Sequence, residues 1–354
     1  MRVQIINSQG HWVNGWFLDT NVLQVMVDVL RQAGFDVAID EVASLHQLEQ
    51  LLTTLSTDTL IWSNAYYVNA PKNQVIWLND VIEQNSLPLI GSGATTLRHV
   101  LNKDECQTIL ARENVPIPDY LVVKANQAKH LPEMIEASGL SFPMILKPTS
   151  ESSSIGVVKV YDLNQAIEQA HQILKQFPWG HLIIEEFVPG DEFTCGVVQL
   201  GDEMILLPTY YELDDILDRQ TRLNAWDNGG KEQLIIQDEQ IRAQLKLHMP
   251  SVVEALNIQD ISRVDGRVDS EGTIRFFDIN GLPGLAFPRS ISVKQCCTCF
   301  PDYTPEEVYK ALIYTILHNA LLRYHLPVPR LLQEHNFFVL KSDIVIKGEA
   351  VNYE

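Results

Sequence analysis

The sequence predicts an α/β chain, α+β in parts, built as three units and an extension. Three observations predict it. Over residues 1–92, short apolar runs alternate with stretches of helical periodicity, the βαβ rhythm of a parallel sheet covered by helices. Further on, apolar runs are joined by the turns Gly201-Asp202 and Asp269–Gly272, which make antiparallel pairs. Between them, a serine-rich turn separates the runs FPMIL and GVVKV. The units are an N-terminal βαβ domain (1–92), a central subdomain (93–180), a C-terminal antiparallel-sheet subdomain (181–325) and an extension (326–354).

VQIIN (3–7) is short and apolar and fits a buried strand. Asp19 is placed to cap a helix reaching Ala33, stopped by Gly34. FDVAI (35–39) is the next strand. Ser44 and Gln47 make a capping-box pair, and Leu45, Leu48, Leu51, Leu52 and Leu55 form one buried helical stripe. TLIW (59–62) is a strand, 71–85 a helix, and LPLIG (87–91) a strand ending in glycine. The second unit starts near Gly93 with helices at 95–101 and 103–114. SFPMILK (141–147) and IGVVKV (155–160) are strands flanking the serine turn, and Asp162 caps a helix to Lys175. HLIIEEFV (181–188), FTCGVVQL (193–200) and EMILLPTYY (203–211) are strands, 212–233 a polar loop, and 237–256 a helix. VDGRVDS and TIRFFDIN form a hairpin. Thr304, Pro305 and Glu307 supply cap, first-turn proline and box glutamate for a helix to Tyr324. Beyond it, LPVPR is a break and FFVLK a strand candidate.

With 354 residues, 46% of them hydrophobic, the chain can bury two or three cores. Its 26 Lys+Arg against 45 Asp+Glu give a net charge of −19, which argues against nucleic-acid and anionic-membrane partners. A phosphate site therefore needs local basic residues. No run of about 18 apolar residues marks a membrane span. MRVQIINSQG lacks a signal-peptide core, so a cytoplasmic location with reduced cysteines is expected. Cys106 and Cys195 stand alone; Cys296, Cys297 and Cys299 cluster as CCTC, without the partner spacing of a zinc site, and read as packing or loop residues.

Three motifs carry chemistry. In KPTSESSSIGV (147–157), backbone N–H groups and the hydroxyls of Ser152, Ser153 and Ser154 suit phosphate oxygens, with Lys147 adding a point charge. Alone, the same stretch also fits a solvated hairpin. In EEFVPGDEF (185–193), the apolar pair Phe187-Val188 beside Glu185 and Glu186 fits the wall and edge of a purine, and Glu192 fits ribose hydroxyls. An ordinary strand with exposed carboxylates fits too. In RVDGRVDSEGTIRFFDINGLPG (263–284), Asp265 and Asp278 lie on the two arms of a hairpin, and Asn280 shares the face of Asp278. That all-oxygen set suits Mg²⁺. A buried unpaired carboxylate is costly, which favours a cation there over bare carboxylates. Arg263 and Arg267 sit on the same strand, with one of them expected to face the site.

FPMILKPTSESSSIGV, LIIEEFVPGDEFT, SRVDGRV and FFDINGLPGL, in this order, resemble the ATP-grasp superfamily and within it the D-alanine–D-alanine ligase family. GSGATTLRHVLNKDECQTIL and NVPIPDY resemble the start of that family's central domain, so the resemblance spans residues 86–325. It implies a three-domain ATP-grasp fold with a central lid subdomain, ATP and two Mg²⁺ ions as cofactors (Mn²⁺ as an alternative), small-molecule substrates and a homodimer. It implies that Lys103 and Lys147 bind phosphates, that the serine turn closes over them, and that Ser153 is the active-site serine. Glu185, Glu186, Phe187 and Val188 then border the adenine, Glu192 holds the ribose, Asp265, Asp278 and Asn280 hold the metals, and Arg263 stabilises the oxyanion. The implied reaction phosphorylates an acceptor oxygen and lets an amine displace the phosphate, giving ADP and phosphate.

The departures fall on the acceptor side. The family's acidic residue in the first glycine-rich turn is replaced by NSQGHWVNGWFLD, which offers His11 and Trp12, with Trp16 and Phe17 beside them. The loop YYELDDILDRQTRLN lacks the family's lysine, leaving Arg219 or Arg222 to substitute. A metal glutamate is Asp278 here, and GLAFPRSISVKQCCTC offers Arg289 or Ser290 to a substrate carboxylate. An aromatic-rich first-substrate region implies a larger or ring-shaped acceptor. The leading expectation is therefore a ligase of the kind that joins an amino acid to a cyclohexenone in mycosporine biosynthesis, through an enolised ketone oxygen. The alternatives are a dipeptide ligase of cell-wall synthesis and a non-catalytic ATP-binding protein.

Overall fold

The computed structural model describes residues 1–8, 23–70, 74–211, 233–334 and 345–347. The first unit runs β1 (Arg2–Ser8), α1 (Gln24–Gln32), β2 (Asp36–Val42), α2 (Leu45–Thr53), β3 (Leu60–Ser63), a hairpin of β4 (Tyr67–Ala70) and β5 (Gln74–Trp77), α3 (Leu78–Gln84) and β6 (Leu89–Ile90). Its sheet is parallel in the order β2-β1-β3-β6. The expected Ser44 cap is present, its side chain accepting from the Gln47 amide. The helix expected over 71–85 is a correction. Among its described residues only Leu78–Gln84 is helical, and Gln74–Trp77 pairs with Tyr67–Ala70 as a hairpin, Tyr67 opposite Trp77. Val75, Ile76 and Trp77 are β-branched or aromatic and favour a strand. The first described helix begins at Gln24, and the Asp19 cap lies outside the described residues.

The second stretch runs α4 (Ala94–Leu101), α5 (Lys103–Arg112), β7 (Tyr120–Val123), α6 (Leu131–Ser138), β8 (Met144–Pro148), β9 (Val158–Val160), α7 (Leu163–Gln176) and β10 (Leu182–Glu186). β7, β10, β8 and β9 form an antiparallel sheet in that order, with α7 packed on it and capped by Asp162. The middle unit thus continues past residue 180, because β10 pairs between β7 and β8. Conversely, Val100, Cys106 and Leu110 of α4 and α5 join the core that holds Phe193 and Phe276. Both helices therefore pack with the third unit.

That third unit runs β11 (Glu192–Leu200), β12 (Glu203–Tyr211), β13 (Gln233–Ile235), α8 (Glu239–Ala255), β14 (Ile261–Val268), β15 (Ile274–Asn280), α9 (Ile291–Cys299), α10 (Pro305–Arg323), α11 (Arg330–Glu334) and β16 (Val345–Lys347). Its sheet is antiparallel, β13-β12-β11-β14-β15, with β16 on β12. Both expected turns are present, with Gly201 and Gly272 at φ 62° and 78°, which glycine adopts without strain. The capping box of Thr304 and Glu307 starts α10, a helix buried on nearly all sides between the third sheet and α1. CCTC lies at the end of α9, with Cys296 and Cys299 in the core. Of the polar loop expected at 212–233, residues 212–232 lie outside the described residues, as does FFVLK, and Gln233 instead opens β13. Among the described residues no helix is long and apolar enough to cross a membrane.

Candidate active site

The middle and third sheets face each other across a cleft of about 780 Å³. Strand periodicity aims its residues. On β8 and β10, Lys147 and Glu185 lie on one face of the antiparallel pair, two positions apart in register. Lys147 Nζ is 2.6 Å from Glu185 Oε2, and each side chain is almost fully buried. Lys147 also donates to the Phe277 carbonyl at 3.2 Å, and Gln107 donates to Glu185. Glu185 thus engages Lys147, while its neighbour Glu186 is exposed and also lines the cleft. Lys103, the first residue of α5, donates to the Glu151 carbonyl at 2.5 Å and lies 3.4 Å from Asp278.

On β14, Arg263, Asp265 and Arg267 recur at every second residue and share one face. Asp265 pairs in register with Asp278 of β15, and Arg263 with Asn280, with a bulge between Asp265 and Gly266. Arg263 grips Asp265 with two bonds of 3.2 and 3.3 Å, and Thr194 donates to the same carboxylate at 2.6 Å. Burial is the largest single influence and opposes the Arg263 charge, but Asp265, Tyr211 and Asp278 together outweigh it and keep the guanidinium a cation. Both arginines face inward: Arg267 lies 3.5 Å from Glu192, donates to the Val188 carbonyl at 3.2 Å and stacks over Phe187. Lys159 covers the same ring at 3.6 Å.

The serine turn is pinned at both ends. The Thr149 amide donates to the His181 carbonyl, and the His181 amide to the Thr149 hydroxyl, each at 2.9 Å. Gly156 has no room for a side chain, since a Cβ would come within 2.9 Å of Pro148. Ser153 and Ser154 take φ of 56° and 57°, left-handed values that turn successive amides toward one side. Ser152 and Ser154 line the cleft; Ser153, between them, is not among its lining residues. Sequence reasoning overlooked Glu151, which is 1% exposed. Burial raises its carboxyl above the ordinary range, and the Trp179 indole, donating at 3.1 Å, pulls it back. A glutamate between serines carries no signal of burial. Ser290 is buried at the N-cap of α9, whereas Arg289 is exposed, which separates the two carboxylate candidates. His11 and Trp12, like Arg219 and Arg222, lie outside the described residues.

Two carboxylates and an amide on one hairpin face, Asp265, Asp278 and Asn280, form a hard-oxygen donor set. Such a set fits Mg²⁺ that completes its shell with water and phosphate. Among the described residues no group of three His, Cys, Asp or Glu could hold a metal, so a site here relies on non-protein ligands for part of its shell. The buried lysines across the cleft fit anionic phosphates.

The family model for the D-ala D-ala ligase C-terminus matches residues 109–296. The D-alanine–D-alanine ligase of Actinobacillus succinogenes is 29% identical over 217 residues, 60% of this chain and 69% of that protein. The one from Hydrogenovibrio crunogenus is 30% identical over 207 residues, 58% of this chain and 63% of that protein. The chain thus aligns with only about two thirds of the length of these relatives. In structure, D-alanine–D-alanine ligase from Bacillus anthracis, solved in complex with ATP, superposes with a TM-score of 0.69 at 16% identity, covering 92% of this chain and 99% of that one. The VanG D-Ala:D-Ser ligase of Enterococcus faecalis gives 0.63 at 16% identity, covering 89% and 99%. The fold is that of the ATP-grasp ligases, and with a family model matched over more than half its length the chain belongs to the D-alanine–D-alanine ligase family.

Proposed function

We propose that the chain is an ATP-dependent ligase that activates an acceptor oxygen and joins it to an amino-acid amine. The observation that carries this reading is the cleft in which Lys103 and Lys147 confront the strand carboxylates Asp265 and Asp278. Asp265, Asp278 and Asn280 would hold the metal, either Mg²⁺ or Mn²⁺. Bound Mg-ATP supplies the phosphoryl group that activates the acceptor. Lys103 and Lys147 neutralise phosphate oxygens, Lys147 turning part of its charge from Glu185 to do so. Phe187 and Val188, with the chain at Glu186, wall the purine, and Glu192 accepts from the ribose. Ser152, Ser153 and Ser154 cover the phosphates and keep water from the activated acceptor. Arg263 donates to the oxyanion formed as the amine attacks. Ser290 receives a substrate carboxylate.

Relatives named for D-alanine ligation favour dipeptide formation over the mycosporine-type acceptor, which none of the relatives named above supports. Phosphate release from Mg-ATP separates the readings. Release with D-alanine alone is the expected result. Release only after adding the cyclohexenone mycosporine-glycine moves the reaction to a ring acceptor, and nucleotide binding without release under either condition removes the ligase reading. Asp278→Ala is expected to abolish release while preserving the fold, because this side chain is one third exposed and its loss opens no core cavity. Unchanged release would sink the metal assignment.

A further inference from the structure

We propose that residues 177–181, which join α7 to β10, form a strap that positions the serine turn, and that Trp179 latches the turn through Glu151. The hold of the strap on the turn stands on contacts alone, while its part in turnover rests on the ligase reading. Strap and turn meet residue by residue, running in opposite directions. Phe177 lies against Gly156, where a Cβ would come within 2.8 Å of its ring. The Trp179 indole donates to Glu151 Oε1 at 3.1 Å. Gly180 faces Ser150, whose hydroxyl would lie 2.6 Å from a Cβ there. His181 exchanges two hydrogen bonds of 2.9 Å with Thr149. Both ends of the strap are fixed. Phe177 belongs to the core of the middle unit, and His181 Nδ1 meets Asp104, next to Lys103, at 3.1 Å.

The link between Trp179 and Glu151 is the one that can open. Trp179 is 56% exposed, but the carboxylate it reaches is 1% exposed. Their bond is the only hydrogen bond of the Glu151 side chain among the described residues, its second oxygen being buried without a partner. Leaving a buried carboxylate without a partner is costly. A surface indole turns to water freely, whereas Glu151 reaches water by the turn lifting. The same turn presents Ser152 and Ser154 to the cleft, and the Glu151 carbonyl holds Lys103 at 2.5 Å. Phe177 meets Trp179 edge-on at 6.0 Å and steadies the indole over the turn. Loosening the latch therefore opens the cleft at the serines. Trp179 and Glu151 are positioning residues, acting through the turn. With the turn open during turnover, water attacks the activated carboxyl in place of the amine. Phosphate leaves, the acceptor carboxylate is regenerated, and ATP is consumed without product.

The test joins two measurements on the full chain. Hydrogen exchange is read by mass spectrometry over the serine turn and over β8, and phosphate and dipeptide are both counted in turnover of Mg-ATP with D-alanine. Trp179→Phe keeps a ring against Phe177 and removes the N–H. It is expected to speed exchange in the turn about tenfold, as the loss of one hydrogen bond to a charged group implies, and to leave β8 unchanged. It is also expected to raise the phosphate released per dipeptide formed severalfold. Glu151→Gln keeps an oxygen for the indole and is expected to match the parent in turn exchange. Turn exchange unchanged in Trp179→Phe overturns the proposal, and so does exchange speeded equally over β8. Equal loosening by Glu151→Gln overturns it too, by placing the effect in the charge rather than the bond. Faster turn exchange with phosphate and dipeptide still matched refutes the part in turnover. If the parent releases no phosphate, the ligase reading falls and the exchange rates alone decide the strap.

Discussion

Lys147 and Glu185 show how single residues are set before any ligand arrives. They form an ion pair 2.6 Å long with both side chains about 96% buried. Removing one partner of such a pair strands a charge in a poor dielectric, at about 3–5 kcal/mol. Lys147→Ala is therefore expected to lower the unfolding free energy by about that much and to abolish nucleotide binding. Lys147→Met combined with Glu185→Gln removes both charges and is expected to recover most of the stability in urea melts, but not the binding. If Lys147→Ala melts like the parent, Gln107 alone satisfies Glu185 and the pair matters less than its burial implies. The lysine was legible in the sequence from its place before the serine turn. The role of Glu185 was only half legible: two adjacent glutamates look alike, and only the pairing register of β8 and β10 turns one inward.

At the scale of elements, the β14–β15 hairpin proposed to hold the metal depends on one glycine. Between Asp265 and Gly266 the pairing of β14 with β15 slips by one residue. A Cβ on Gly266 would collide with the Phe193 ring and lie 2.6 Å from the Arg275 carbonyl. Gly266→Ala must push β15 away or eject Phe193 from its edge-on packing with Phe276 at 5.8 Å. Overpacking of this kind costs about 1–3 kcal/mol. It also displaces Asp265 from Asp278, so turnover is expected to fall by more than the stability loss alone accounts for. Melting and phosphate release measured together check this, and a variant that is less stable yet fully active separates the bulge from the metal site. The hairpin itself was legible, because alternation, an Asp–Gly turn and two carboxylates in step all point the same way. The β4–β5 hairpin was not. Its strands are four residues each and run directly into α3, so the apolar pattern merges with that of the helix.

Across the whole molecule, the first and third units are joined by a polar clamp that no local motif announces. Arg323, at the end of α10, bonds Asp260 at 2.6 and 3.0 Å and the Leu89 carbonyl at 2.7 Å. Asp260, fully buried, accepts from the Gly91 amide at 2.7 Å. One arginine and one aspartate thus fasten β6, the start of β14 and the end of α10, which are far apart in sequence. Gly91 leads into α4, on which the β4–β5 hairpin docks, so the clamp sets how the first unit meets the cleft. Burial pushes the Asp260 carboxyl above its ordinary 3.8, and Arg323 pulls it back. Arg323→Met removes the pull. The folded state then holds the Asp260 proton to a higher pH than the unfolded chain does, so stability is greatest below about 4 and falls as pH rises through the raised value. At neutral pH the loss is expected to be about 3 kcal/mol, that of a buried pair broken on one side. Asp260→Asn in the Arg323→Met background is expected to flatten the pH dependence. Because the cleft proposed to hold the nucleotide lies between the middle and third sheets, affinity for Mg-ATP should hold in Arg323→Met while the KM for the acceptor rises. A parallel loss of both would mean that the clamp supports the fold as a whole rather than the seating of the first unit.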